Sequence, residues 1–284
     1  MKKTFEPIII AKDDGLAIPE VGSWAKDKYS LVGRYCDVFT ASMKNKWSNL
    51  VYIDLFSGSG YSKIKDTKQI IYGSPLISLS IPNKFSKYIF CENDENLSKS
   101  LSKRIIRDFP NNDIKIIQGN SNDVVDNILN EIPPYSKNNG VLTFCFADPF
   151  SLDLDFKTIE SLGKLKIDFL ILLALHMDAN RNYRNYLEEE NNKIELFLGD
   201  KNWRRAFIEK NITDNESFVK FLANKYKQNM ERLGYNVTET FQQIRSAKKN
   251  LPLYYLAFFS KNNMGDKFWK EVIKYSTPQT KLEL

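Results

Sequence analysis

The chain has 284 residues, 42% hydrophobic and 27% charged, the balance of one large globular domain or two small ones and not of a disordered or low-complexity chain. Lysine and arginine outnumber aspartate and glutamate 41 to 35, a net charge of +6, and all but one unit of that excess lies beyond residue 175. Three cysteines and one histidine exclude a disulfide framework and offer no ligand spacing for a metal, and no apolar run of about 18 residues exists to span a membrane.

Residues 1–23, with Pro7, Gly15, Pro19 and Gly22, read as an irregular arm. The opening MKKTFEPIII is basic without a long apolar stretch behind it, so no secretory signal is expected and a cytoplasmic protein is. In such a reducing compartment Cys36, Cys91 and Cys145, each in apolar surroundings, read as buried thiols. From Lys28 the residues Tyr29, Val32, Tyr35, Cys36, Phe39 and Met43 recur at three- and four-residue steps, which predicts a helix. The run 50–56 (LVYIDLF), halted by Ser57-Gly58-Ser59-Gly60, predicts a buried strand. Residues 61–73 read as a polar loop, and Gly73-Ser74-Pro75 as the start of a helix.

An alternation follows. Strands are expected over 88–92, 114–118, 141–147 and 167–175. Helices are expected over 94–109, with Leu97, Leu101, Ile105 and Ile106 on its apolar side, over 123–132, stopped by Pro133-Pro134, and over 158–163. Residues 180–233 carry helical spacing, including Phe218, Phe221, Leu222, Tyr226 and Met230. Residues 235–244 and 251–259 read as two strands of a hairpin, and 267–275 as a last helix. Five apolar strands alternating with helices predict an α/β fold with a parallel sheet covered on both faces. Finished by a hairpin, this is a Rossmann-like class I methyltransferase sheet. The expected division is an N-terminal arm and helix (1–48), a cofactor domain (49–179 with 234–284) and a helical insertion (180–233).

Ligands of such sheets lie beyond the carboxyl ends of the strands. The first strand ends in Asp54-Leu-Phe-Ser-Gly-Ser-Gly60. Two glycines permit a tight turn and close approach of a ligand. A dinucleotide fingerprint would need a small residue where Lys63 stands, and no GK[ST] follows for a phosphate-cradling loop. Asp54 suits a cationic ligand, such as the amino group of S-adenosylmethionine (SAM). Phe56, Ser57, Gly58 and Gly60 complete the cofactor turn. At the second strand end Glu92, beside Asn93, can accept both hydroxyls of a ribose. At the third, Asn120, beside Ser121, can pair with an adenine edge through its amide.

The fourth strand ends in Asp148-Pro149-Phe150. This resembles the (D/N)PP(Y/F) motif of enzymes that methylate exocyclic amino groups of bases, with the second proline missing. An aryl amine is a poor nucleophile because its lone pair is delocalised into the ring. A carboxylate and a backbone carbonyl accepting its two hydrogens return density to nitrogen, and an aromatic ring stacks on the flipped base. Asp148, the Pro149 carbonyl and Phe150 fit those three parts; a plain Asp-Pro turn is the structural alternative.

YIDLFSGSG (52–60), GSPL (73–76), FCEND (90–94), FADPF (146–150) and KIDFLILL (166–173), followed by Arg181-Asn182, occur in this order. In this combination the chain resembles the three-Cys-motif partner (TcmP) family over roughly its first 180 residues, with Ser151 where the family pattern usually has glycine. The resemblance implies a class I SAM-dependent methyltransferase fold. It also implies, as a possible partner, the radical-SAM-like three-Cys-motif protein for which the family is named. The cysteines of that name belong to the partner, not to this chain.

The basic clusters RNYRNY (181–186), KNWRR (201–205) and RSAKKN (245–250) interleave with aromatics and amides, which suits a polyanion such as DNA or RNA, or simply a solvated surface. Arg181 and Arg184, three residues apart on an expected helix, are candidate substrate contacts, with the insertion as the substrate-facing wall. His176 reads as packing or as a base, and Glu188–Glu190 as a solvated face. Three functions are expected to compete: methylation of a base amino group, a SAM-fold subunit acting only with its partner, and methylation of a small molecule or protein with His176 or Asp178 as base.

Overall fold

The computed structural model describes residues 5–237, 240–246, 251–274 and 281–283. In chain order it contains β1 (Ile10–Ala11), β2 (Glu20–Val21), α1 (Ala25–Met43), β3 (Asn49–Asp54), β4 (Tyr61–Ile64), β5 (Ile70–Tyr72), α2 (Ser74–Ser80), β6 (Lys87–Glu92), α3 (Glu95–Asp108), β7 (Ile114–Gln118), α4 (Val125–Glu131), β8 (Val141–Ala147), α5 (Phe156–Leu162) and β9 (Ile167–Leu173). A π-helical turn, Leu175–Ala179, leads into α6 (Tyr183–Leu187), α7 (Lys193–Leu198), α8 (Trp203–Glu209) and α9 (Asn215–Arg232). Then come β10 (Asn236–Val237), β11 (Thr240–Arg245), β12 (Pro252–Ser260), α10 (Asn263–Ile273) and β13 (Lys281–Glu283).

The large sheet has the order β13-β11-β12-β9-β8-β3-β6-β7. The five strands β7, β6, β3, β8 and β9 are parallel neighbours. β12 joins β9 antiparallel, and β11 joins β12 antiparallel, so β11 runs with the other five. This is the strand order and sense of a Rossmann-like class I methyltransferase sheet, as the alternation predicts. β13, pairing β11 along Thr240–Gln242, is a strand the sequence reading does not contain.

The strands β3, β6, β8, β9 and β12 are buried on both faces and sort their side chains with period two, whereas β7 keeps Lys115 and Gln118 exposed. In β9, Ile167, Phe169, Ile171 and Leu173 join the core under α5, α7 and α9, while Leu170 and Leu172 join the core under α1, α2 and α10. The single acid in that run, Asp168, accepts from the Tyr35 hydroxyl at 3.0 Å, and burial pushes it up to about 6. All three cysteines are free and buried, as expected.

Several boundaries differ. Residues 61–73 are no plain loop: β4 and β5 form an antiparallel hairpin, and the 1–23 arm adds β1 and β2 to it, giving a second, four-stranded sheet of order β1-β5-β4-β2. Tyr61, Ile64, Ile70 and Ile71 are buried in it, an apolar content diluted in sequence by the lysines between them. Ile106 is 70% exposed and lies outside the apolar side of α3. The strand expected over 167–175 stops at Leu173, where the π-helical turn takes over. Residues 238–239, 247–250 and Tyr275 lie outside the described residues, and with them most of the basic hairpin loop. The insertion is no separate body: Tyr186, Ile194, Phe197, Trp203, Phe207 and Phe218 pack in the same core as β8 and β9.

A two-part cleft at the strand ends

The turn after β3 is fastened before any ligand is considered. Gly58 and Gly60 have φ of +62° and +83°, the left-handed region that favours glycine, and a Cβ on Gly60 would sit 2.9 Å from Leu101. Ser57 donates through both N–H and hydroxyl to the Cys91 carbonyl, at 2.9 and 2.6 Å. Glu92 Oε2 accepts from the Gly58 N–H at 2.7 Å, and its Oε1 from the Asp94 N–H at 2.8 Å. Each bond spends one lone pair of a carboxylate that has about four, so Glu92 ties the turn to β6 and keeps capacity for a ligand.

Two hollows meet at this turn, and Phe56, Glu92 and Phe150 line both. The first, about 460 Å³, also takes in Asn93, Asn120 and Ser121, with Lys193 and Leu196 from α7. The Ser121 hydroxyl is buried against this hollow without a hydrogen-bond partner among the described residues. Buried hydroxyls are normally paired, so an orphan facing a hollow marks a place for a polar ligand atom. Asn120 Oδ1 accepts from the Asn122 N–H at 3.0 Å, an Asx turn that leaves its NH2 uncommitted.

The second hollow, about 500 Å³, is bounded by the small sheet on one side and by Asp148, Pro149, Phe150, Lys28, Tyr29 and Tyr254 on the other. Phe150 is 88% exposed at the rim. Asp148 is ion-paired with Lys28 from the first turn of α1. Burial, the largest single influence, works to lower the Lys28 ammonium, but the Asp148 charge, Tyr29, the Asp148 hydrogen bond and the Asp54 charge together outweigh it and hold the group above the usual lysine range. The loop behind Phe150 is pinned by Asp178, which accepts from Ser151, from the Leu152 N–H at 2.9 Å, from Asn182 at 2.6 Å and from Tyr186 at 2.7 Å. Burial alone would raise Asp178; these donors hold it below the usual carboxylate range. Ser151 thus has a structural task.

Other candidates are placed differently from the reading. Asp54 does not line either hollow: it is fully buried beneath the turn, accepting from the Phe56 N–H and the Tyr52 hydroxyl, both at 3.3 Å, and burial pushes it up to about 7. It acts on the cleft through its field and its hold on the turn. Arg181 and Arg184 are exposed and line neither hollow. Arg181 sits in a turn before the five-residue α6, so the two share no helix face. Tyr183 packs on Phe207 and Phe218. The insertion reaches the cleft through Lys193 and Leu196 instead. Arg204 donates to four carbonyls of residues 186–191, and Trp203 is buried, so these two are structural, while Lys201 and Arg205 are exposed. His176 faces another hollow, 2.7 Å from the Tyr255 hydroxyl, and with Asp178 fully engaged neither is placed as a base for the cleft. Among the described residues no His/Cys/Asp/Glu cluster fit for a metal occurs.

Sequence reasoning missed three residues. Lys28 and Tyr254 sit inside apolar helix and strand patterns that read as packing. Arg104, completely buried, donates to Asp14, to the Ala17 carbonyl and, at 2.7 Å, to the Ser59 carbonyl, and lies over the Tyr61 ring. It clamps the glycine turn to the arm. The only signal for it was an arginine on the apolar side of α3.

No family model and no curated protein matches the chain. Among solved structures it is similar to a protein of Legionella pneumophila (12% identity, TM-score 0.48, covering 89% of this chain and 94% of that one). It is also similar to M. jannaschii TYW2 in complex with AdoMet (13%, 0.44, 92% and 89%) and to a Bacillus cereus O-methyltransferase in complex with SAH (12%, 0.45, 81% and 80%). At such identities the likeness is one of fold, and the chemistry is read from this chain's own residues.

Proposed function

We propose that the chain is a SAM-dependent methyltransferase acting on an exocyclic amino group of a nucleic-acid base. The observation that carries this is Asp148-Pro149-Phe150 at the end of β8, where the two hollows meet: a carboxylate in the wall, a carbonyl beside it, and an aromatic ring in water at the rim. The first hollow suits the adenosine half of SAM, with Glu92 on the ribose hydroxyls and Ser121 and Asn120 near the base. The second suits the methionine half and the acceptor. When bound, the cofactor supplies a methyl on a sulfonium sulfur that departs with the S–C bonding pair. Asp148 and the Pro149 carbonyl would accept the amine hydrogens and turn the nitrogen lone pair toward that carbon, and as the N–C bond forms one amine proton would pass to the Asp148 carboxylate and on to water. Phe150 stacks on the extruded base. The motif resemblance to TcmP proteins supports the SAM-dependent methyltransferase part of this reading, not the choice of acceptor, and adds the three-Cys-motif protein as a proposed partner.

The test is incubation of purified protein and methyl-labelled SAM with bulk DNA and RNA, followed by mass spectrometry of the nucleosides. A labelled N-methylated nucleoside, absent with Asp148→Ala, is the expected result. Label confined to protein or small molecules would overturn the nucleic-acid reading.

A further inference from the structure

Two donors share the second hollow with Asp148 and neither is fully spent. Lys28, 6% exposed, lines the second hollow; among the described residues Asp148 is the one hydrogen-bond acceptor of its ammonium, which has three N–H groups. The face of the Tyr29 ring, 4.8 Å from Nζ, offers attraction but no acceptor atom. Tyr254, 2% exposed, lines the same hollow, and its hydroxyl has no partner among the described residues. Both therefore retain donors in the wall of the hollow that the carboxylate assigned to the amine also lines, where buried donors are ordinarily paired.

We propose that Lys28 and Tyr254 read an unprotonated ring nitrogen adjacent to the amine held by Asp148, so that the acceptor is an amino-amidine edge, N–C=N. This rests on the function proposed above and deepens it by naming the residues that read the ring nitrogen. The edge presents a donor next to an acceptor, and Asp148 with Lys28 presents the complement. Adenine, cytosine and guanine carry such an edge. A lysine-type amine does not: as a cation it meets the Lys28 charge, and it offers no acceptor. A uracil or thymine edge sets a carbonyl oxygen against Asp148. A site built to hydrogen-bond a substrate atom discriminates strongly against the analogue lacking it, because its buried polar groups are then left unpaired.

Short single-stranded DNA and RNA oligonucleotides with one adenine or one cytosine, and their 1-deazaadenine, 7-deazaadenine and 3-deazacytosine counterparts, test this. Rates of methyl transfer are measured for the wild type, Lys28→Met and Tyr254→Phe, with SAM affinity and melting temperature as folding controls. For the wild type, removing the ring nitrogen of that edge, N1 of adenine or N3 of cytosine, should lower kcat/KM roughly 10- to 100-fold, the worth of a hydrogen bond to a charged group, while 7-deazaadenine should match adenine. Lys28→Met should level the two substrates, and Tyr254→Phe should narrow the gap. Wild-type rates indifferent to every ring nitrogen would overturn the inference alone. So would variants that slow all substrates equally while keeping the discrimination, since Lys28 would then serve only as the counter-ion of Asp148. Intact SAM binding with no transfer to any oligonucleotide would overturn the underlying reading, and the inference with it.

Discussion

Glu92 carries two tasks on one carboxylate, holding the Gly58 and Asp94 N–H groups and, in the proposed complex, the ribose hydroxyls. Hydrogen bonds to charged groups are worth about 1.5–3 kcal/mol, so Glu92→Ala should weaken SAM roughly 10- to 100-fold in calorimetry, and Glu92→Gln, keeping one acceptor oxygen, should fall between. Unchanged affinity would remove Glu92 from the cofactor. Asp54 predicts a pH dependence. Its carboxyl, pushed up to about 7 by burial, is mostly protonated at pH 6 and mostly ionised at pH 8. A cationic ligand favours the ionised form, so SAM affinity should rise between pH 6 and 7.5, and Asp54→Asn should flatten the rise. The sign is the reverse for folding. The unfolded carboxyl releases its proton near 4, so the Asp54 contribution to stability falls as pH rises from about 4 to 7. Of these positions the strand-end glycines, Glu92, Ser121 and Asp148 were legible in the sequence, because turns and strand ends announce themselves locally. Lys28 and Tyr254 were not, since only the fold brings them to Asp148 from residues far away in the chain.

At the scale of elements, the strands were legible because those buried on both faces read as unbroken apolar runs. The small sheet was not. Its strands are two to four residues long and derive their burial from one another, across some fifty residues of sequence. What fastens that sheet to the glycine turn is Arg104 on α3, bonded to Asp14 and to the Ser59 carbonyl. Its bond to Asp14, more than any other cause, holds that carboxyl at about 2. Removing one partner of a buried ion pair costs about 3–5 kcal/mol. Arg104→Ala should therefore destabilise the protein by about that much and weaken SAM as the turn loosens, whereas Lys99→Ala, losing an exposed pair with Glu95, should change stability by less than about 1 kcal/mol. Denaturant unfolding of the two variants checks this, and equal effects would deny the clamp.

At the scale of the whole molecule, the helical insertion was expected as a separate wall, yet its apolar side chains fill the core that β8 and β9 share with α5. Helical spacing reveals an apolar face but not what that face covers. Trp203, buried against Phe207 and Phe218, should cost about 3–5 kcal/mol as Trp203→Ala and lower one cooperative melting transition by roughly 10 °C. A second, separate transition in calorimetry would restore the independent domain. Surface charge belongs to this scale too: a net of +6 with Arg181 and Arg184 exposed favours a polyanion only weakly, and the cleft, not the charge, carries the assignment.

The central claim is that the joined hollows at the ends of β3, β6, β7 and β8 hold SAM. Titration of the purified chain with SAM by isothermal calorimetry tests it most directly. One molecule bound per chain, displaced by S-adenosylhomocysteine and weakened by Glu92→Ala, is the result the structure predicts. No heat and no shift in melting temperature at millimolar SAM would contradict it.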